Sequence, residues 1–586
     1  MKMGASPWCF VWLALLGIGC RCTEEDRARD QAGAPLVATE QSGATRAGPS
    51  EAWLRGDLAA QRAHEARLTP RMGGEVVLQL PESPPSLNTI VDEDWWVSRI
   101  VDHNVYESLL SVSWYDHPRY QHVPELAERW EVSQDGRLVT FHLRKGVTWH
   151  DGKPFGSRDV KATFDKVLDP KTKAAHLRAT LEELERYEVI DEATIRFFLK
   201  NPHFVALDAF ASIPIHPAHV IEGLTGSEYN KARTNPLNRA PIGTGPFRFE
   251  RWEPNVKIVF KRHPDYWGEK AHLDRLVFRQ VMEAEVGLQL AERGELDVVT
   301  RIEPGQWARM AERERLVSHY DRSRFNAYSY AWIGWNQNNP RFQDKRVRRA
   351  LTLLTDRAGI IKSLMYDLFT PTDCHFYVES KELCDPKTPK LAYDPMAASK
   401  LLEEAGWKDR NSDGVLDKDG MRFELTLMLP VEDDEAQRLG AKLKEDFARV
   451  GIGMALQSVE WGAFSERLRE RKFDACMLVW GFSLPREDPT KIWHSKSIDG
   501  GSNYVGFRHA RADAIMETAR RELDPAKRNA LYRELMEILR DEQPYTWLYT
   551  YPNLTLYAKR LRGVRESLLG FRYRDFWVAA DPGLGQ

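Results

Sequence analysis

Hydrophobic and polar positions alternate most cleanly from Leu138 to Leu143 (LVTFHL), where Val139, Phe141 and Leu143 share one face. A period of two over six residues predicts a half-buried strand. Turn chemistry brackets it, with Ser133-Gln134-Asp135-Gly136 before and His150-Asp151-Gly152 after. The period then lengthens, and Val160, Phe164 and Val167 recur at helical spacing behind Ser157-Arg158-Asp159. Upstream, residues 73–80 (GGEVVLQL) predict a first strand, and 97–110 a helix after Ser86-Leu87-Asn88. Residues 188–199 alternate as a strand pair. Residues 342–351 (FQDKRVRRAL) open an amphipathic helix. Its Val347, Ala350 and Leu351 lie on one face and Arg346 and Arg349 on another, which predicts a solvated or salt-bridged face. Trp461 starts a further helix, and 475–480 (ACMLVW) predict a buried strand. Strands and helices interleaved over 586 residues predict an α/β protein of two to four domains.

The first 70 residues are different material. Lys2 precedes an apolar run from Pro7 to Ile18. That run is shorter than the ~20 apolar residues that span a bilayer, and it has the proportions of a signal peptide. It ends Leu16-Gly17-Ile18-Gly19-Cys20, small residues before a cysteine, as in a lipobox where the cysteine is acylated. Gly17 stands where such sites carry Leu, and Arg21 and Cys22 follow directly. The expectation is a lipid anchor on Cys20; a cleaved soluble form and an uncleaved anchor are the alternatives. Residues 21–70 are rich in Ala, Gly, Arg, Glu and Gln and predict a tether. Within it, Trp53 and Leu54 fall in a candidate short helix, 51–68.

Net charge is −3 with both signs interspersed, so no basic stripe points to nucleic acid. Six cysteines do not make a disulfide framework in a chain this long. There is no Gly-x-Ser-x-Gly elbow, His-Glu-x-x-His or Walker motif, which agrees with a non-enzymatic binder that needs no cofactor. A hydrolase built from scattered Asp, Glu and His is the competing class.

Residues 128–170, from Trp130 through the turns, strand and helix above, resemble the signature of the bacterial extracellular solute-binding proteins of family 5, the dipeptide, oligopeptide and nickel binders of ABC importers. Further stations fit it: Gly243-Thr244-Gly245-Pro246-Phe247, Tyr266-Trp267, Gly294-Glu295-Leu296-Asp297, and Asp356-Arg357. The resemblance implies a two-lobed periplasmic-binding-protein fold (type II, cluster C-like) with an extra domain and mixed sheets flanked by helices. It places lobe I in 71–111, 237–330 and 540–586, the extra domain in 112–236 and lobe II in 331–539. It implies a monomer in the periplasm or cell envelope, held to a membrane by its lipid, that passes a small solute to an ABC permease. A sensor or scavenger of the same fold is the alternative.

The pocket expectation comes from 460–490. Glu460-Trp461, a helix, Phe473-Asp474, a strand ending in Trp480, then Asp488-Pro489 follow the order of the oligopeptide binders. Their cavity tryptophans fall on Trp461 and Trp480. Phe482, Ser483, Asp488, Trp335 and Asn336 complete the expected ligand-binding set. The departures are specific. Ser483 stands where peptide binders pair an Asp with the ligand ammonium, and Met477 and Leu468 stand where they carry Arg. Losing such charge-assisted contacts, each ~1.5–3 kcal/mol, predicts a neutral, aromatic site. Asp488 or Glu487 could supply a carboxylate instead. The solute is then a peptide, a modified peptide or a saccharide.

Two smaller expectations remain. Asp409, Asn411, Asp413 and Asp417 are spaced as calcium ligands with Gly414 at the turn, although Gly420 stands where a bidentate Glu belongs. A structural calcium and a plain Asx–Gly turn are the two readings. Cys374 and Cys384 flank a short loop and could pair in an oxidising compartment.

Overall fold

The structure, a computed structural model, describes residues 49–92, 94–116, 120–388, 390–431, 433–482 and 488–579. Cys20 and its apolar run lie outside these, and so do Ser483 and Glu487.

Three larger sheets organise the body. The seven-stranded one runs Tyr320–Asn326, Pro552–Ala558, Val298–Val299, Glu75–Leu80, Arg275–Gln280, Lys257–Arg262, Phe247–Glu253. The five-stranded one runs Gly453–Val459, Glu424–Pro430, Ala475–Gly481, Ser329–Trp335, Tyr545–Trp547. The four-stranded one runs Ala127–Val132, Leu138–Leu143, Thr194–Leu199, Leu184–Asp191. The pairing is mixed: Glu75–Leu80 lies parallel to Arg275–Gln280, which lies antiparallel to Lys257–Arg262. The fold is therefore α/β with mixed sheets.

Local sequence explains the elements. In Leu138–Leu143, Val139, Phe141 and Leu143 are buried, and Phe141 packs edge-on to Phe210 at 4.9 Å. The preceding turn closes through Gly136 N–H to Ser133 O at 2.9 Å, with Gly136 at φ +68°, where a side chain would be strained. Helix Ser157–Leu168 buries Val160, Phe164 and Val167. Two other motifs meet on one carboxylate: Thr244, Tyr266 and Trp267 all donate to Glu107, at 2.7, 2.7 and 2.8 Å. Burial, then neighbouring Glu125, pushes the Glu107 carboxyl up to about 7. A Cβ on Gly243 would collide with the Val105 carbonyl, so only glycine allows this approach.

Two expected boundaries move. Tyr545–Trp547 still belongs to the five-stranded sheet, so the chain returns to the seven-stranded sheet at Pro552 rather than at 540. The expected tether also ends early. Residues 49–62 hold two short helices, Glu51–Arg55 and Leu58–Gln61, packed on edge strand Tyr320–Asn326. Trp53 is 3% exposed and its indole donates to Tyr320 O at 2.8 Å. The Arg322 guanidinium lies between the Trp53 and Trp307 rings, 4.3 and 4.4 Å from their centroids, and donates to the carbonyls of Trp53 and Leu54. Arg62 closes the clasp on Asp321 at 2.9 Å. Average composition over 21–70 masks this, because the burial rests on a few residues, Trp53, Leu58 and Arg62.

Cys374 and Cys384 are disulfide-bonded, with Cα atoms 5.7 Å apart. Closing a loop across 10 residues contributes about 2–3 kcal/mol by restricting the unfolded chain. Replacing both cysteines by serine is expected to lower the unfolding free energy by that amount in denaturant titrations; an unchanged midpoint would contradict it.

Candidate functional site

The five-stranded sheet collects aromatic side chains at one end. Glu424–Pro430 and Gly453–Val459 run parallel, and Ala475–Gly481 runs parallel to Glu424–Pro430, so their carboxyl ends share an edge. Ser329–Trp335 runs antiparallel to Ala475–Gly481 and pairs Tyr330 with Trp480 there. In open α/β sheets, ligands are received beyond the carboxyl edge.

Alternation puts Tyr330, Trp332, Cys476, Leu478, Trp480, Tyr545 and Trp547 on one face. Four rings then lie nearly parallel. Tyr545 and Trp332 stack at 3.9 Å, Trp332 and Trp480 at 5.8 Å, and Trp480 and Tyr504 at 6.0 Å. Gly334 leaves room for the Trp332 ring, which a Cβ there would strike. The inner rings are fully buried, whereas Trp480 and Tyr504 are half-buried. The ladder thus runs from core to surface.

Phe482 continues the wall. It packs against both the core of the four-stranded sheet and that of the five-stranded sheet. Its ring lies 4.7 Å from Tyr328, 5.7 Å from Tyr330 and 5.7 Å from His375. Tyr377 meets Tyr328 edge-on at 5.6 Å. The disulfide anchors the segment that carries His375, Phe376 and Tyr377.

His375 is held neutral. Burial pushes its imidazole down to about 3. Trp493 Nε1 lies 3.1 Å and Tyr330 Oη 2.8 Å from its Nδ1. An indole can only donate, so Nδ1 accepts and Nε2 carries the ring proton. A base with a folded pKa of about 3 and an unfolded value of 6.5 contributes stability that is complete above 6.5 and is lost as pH falls below it. The stability deficit of His375→Gln relative to the parent is therefore expected to shrink by about 2 kcal/mol from pH 7 to pH 5. A deficit independent of pH would show that the ring is not buried neutral.

Trp480 and Phe482 come together at this wall. Trp461 follows strand Gly453–Val459 at the same edge, two strands and roughly 10 Å away, and is 53% exposed. It stacks on Phe464 at 5.7 Å. Asp488 lies within electrostatic reach of His375, but both its oxygens are engaged. Oδ2 takes Arg520 at 2.8 Å, with His203 at 3.6 Å, and Oδ1 accepts from the Thr490 N–H and hydroxyl. Arg520 also pairs with Glu182, and its carbonyl accepts from Phe204 N–H at 3.0 Å. These contacts tie the four-stranded domain to the lobe carrying the ladder.

Trp335 and Asn336 are not brought to the wall. Trp335 pairs with Ala475, five residues before Trp480 and so about 16 Å along the strand. It points to the opposite face, fully buried, donating to Thr546 at 3.1 Å. Asn336 holds the Arg471 and Phe473 carbonyls at 3.0 and 2.7 Å. The sequence reading missed Tyr328, Tyr330, His375, Tyr377 and Tyr504. The alternation Tyr328-x-Tyr330-x-Trp332 carried a signal for the first two; nothing local marks the others.

The 409–417 loop does not fit calcium. Asp409 accepts the N–H groups of Asp413 and Gly414, at 3.2 and 3.0 Å. Asp413 pairs with Arg422, and Asp417 with Arg410 at 2.7 Å. Asn411 accepts from Asp413 N–H at 3.1 Å. Two guanidinium groups thus pair with Asp413 and Asp417, and among the described residues no three His, Cys, Asp or Glu converge. The loop is an Asx–Gly turn braced by arginines.

Known proteins share this architecture. The oligopeptide-binding protein AppA of Bacillus subtilis is 29% identical over 518 residues, covering 86% of this chain and 90% of its own. The dipeptide-binding protein of Escherichia coli is 27% identical over 453 residues, covering 72% of this chain and 79% of its own. The structure of AppA from Bacillus subtilis in complex with a nonapeptide superposes with a TM-score of 0.71 at 27% identity, covering 87% of this chain and 100% of that one. NikA from Brucella suis, in complex with Fe(III)-EDTA, has a TM-score of 0.75 at 23% identity over 86% of this chain and 100% of its own, a likeness of fold alone. The family of bacterial extracellular solute-binding proteins, family 5 Middle, matches residues 121–501. That span holds the signature strand and helix, the Gly-Thr-Gly-Pro turn and the aromatic wall from Tyr328 to Phe482, and the chain belongs to this family.

Proposed function

We propose that the chain captures a peptide-like solute between two lobes and delivers it, chemically unchanged, to an ABC permease. The lobes are those built on the seven-stranded and five-stranded sheets, and closure about the strands joining them buries the solute. The observation that carries this reading is the half-buried Trp480 and Phe482 at the carboxyl edge, an aromatic surface backed by rigid stacked rings. The nonapeptide-bound relative and the dipeptide-binding relative support a peptide-like solute. The protein works as a monomer in the cell envelope, with Cys20 as its lipid attachment. Among the described residues no helix is long and apolar enough to cross a membrane.

The charge pattern refines the solute. Asp488, one of two carboxylates expected to meet a ligand ammonium, is already paired through both oxygens. With Asp488 so engaged, the reading taken here is a solute whose end near Trp480 is uncharged, as in an acylated or otherwise modified peptide. Calorimetry with matched tri- to pentapeptides, free or acetylated at the N-terminus, tests this. Acetylated forms are expected to bind at least as tightly as free ones; free peptides binding about tenfold tighter, ~1.4 kcal/mol, would contradict it.

A further inference from the structure

One carboxylate at the carboxyl edge of the five-stranded sheet is oriented but only half used. Strand Glu424–Pro430 neighbours Ala475–Gly481, with Met428 beside Cys476. Val431 N–H then donates to Val459 O at 3.0 Å, and helix Asp434–Ala448 begins at the edge that carries Trp480. Its first turn holds Glu435. Tyr549 and Tyr551 both donate to Glu435 Oε1, at 2.8 and 2.7 Å. Phe369 packs edge-on to both phenol rings, at 5.1 and 5.0 Å, and fixes them.

The phenols also place this carboxylate at the floor between the lobes. Tyr551 stands on the chain crossing from Tyr545–Trp547 to the seven-stranded sheet at Pro552. Its carbonyl accepts at 2.8 Å from the N–H of Ala327, which lies on the other crossing. Tyr549 packs in the core on the opposite face of the sheet from the ring ladder. Glu435 and Trp480 therefore flank one edge from its two faces.

Glu435 Oε2 makes no hydrogen bond among the described residues and is not sealed from solvent. No Lys, Arg or His among them forms an ion pair with it; Arg438, one turn along the helix, acts only from a distance. Burial pushes the carboxyl above its ordinary value, and the two phenol donors oppose that rise without cancelling it. A partly desolvated anion with one free oxygen is best satisfied by a cation that also donates hydrogen bonds.

We propose that Glu435 determines specificity by receiving a cationic group of the solute, a primary ammonium or a guanidinium as on a Lys or Arg side chain, through Oε2. The proposal rests on the peptide-like reading of the solute. It adds that the solute carries a positive charge across the edge from its uncharged, aromatic-bound end.

The test is calorimetry on the full chain with acetylated pentapeptides in which each position in turn holds Lys or norleucine, its neutral counterpart. At one position Lys is expected to bind about tenfold tighter than norleucine, ~1.4 kcal/mol. Glu435→Gln, whose amide oxygen still accepts from both phenols, is expected to level the two. A residue that only braces the crossing would lower both affinities alike and leave their ratio standing. No position that prefers Lys, or a preference that survives in Glu435→Gln, would overturn the proposal while leaving the peptide reading intact. If no pentapeptide binds, the peptide reading falls and this proposal with it. Should Glu435→Gln not fold, Glu435→Asp decides: it draws the charge back by one methylene and is expected to shrink the Lys preference, and an undiminished preference would overturn the assignment.

Discussion

Replacing Trp480 by alanine weakens solute binding by about 30-fold or more, an aromatic anchor at a binding surface being worth ~2–4 kcal/mol. The expectation rests on position. Trp480 is the outermost strand residue of a ring ladder whose inner members, Trp332 and Tyr545, are fixed by register and by burial. Its ring therefore meets a solute already oriented, with little rotamer freedom to lose on binding. Some stability is also lost, because Trp480 packs on Trp332, so a control is needed. Trp335→Phe supplies it, since Trp335 lies on the opposite face about five residues away in register. That variant is expected to lower stability, by loss of packing and of the bond to Thr546, while leaving affinity within about threefold, under ~0.7 kcal/mol. Calorimetry with denaturant melts on both variants separates the cases. Equal losses of affinity would mean that Trp480 acts through folding alone.

Replacing Trp53 by alanine costs about 3–5 kcal/mol, the range for large buried aromatics. Trp53 is 3% exposed, donates to Tyr320 and covers one face of a buried Arg322. Burial already pulls the Arg322 guanidinium down to about 10. Without Trp53 that cation loses a ring, and edge strand Tyr320–Asn326 loses its cover. Residues 49–62 should then detach and become the first site of limited proteolysis, with the unfolding midpoint lowered. A loss under ~1 kcal/mol, with unchanged proteolysis, would mean that the segment merely lies on the surface.

How far the sequence carried depends on whether a segment has one buried face or two. Leu138–Leu143 has one, so its alternation located both strand and core. Ser329–Trp335 is buried on both faces, and Tyr330-Ala331-Trp332-Ile333-Gly334-Trp335 then reads as a continuous apolar run. Nothing in such a run says which tryptophan faces the wall, and the register puts Trp335 on the opposite face from Trp480. The 409–417 loop is a different case. Its ligand spacing was visible, but Arg410 and Arg422, which pair with Asp417 and Asp413, are ordinary surface residues until the fold brings them in. Trp480 and Phe482 stand inside an ordered motif that the sequence displays. His375, Tyr377 and Tyr504 reach the wall only through tertiary packing, one route being the disulfide-stapled loop.

The central claim is that this protein binds a peptide-like solute and returns it unaltered. Thermal-shift titration of the full chain with a panel of free and acetylated peptides, followed by mass spectrometry of the recovered ligand, tests it most directly. The account predicts that at least one peptide raises the melting temperature, that Trp480→Ala removes most of that shift, and that the recovered mass is unchanged. A panel without any binder, or a recovered peptide that has been cleaved, would contradict it.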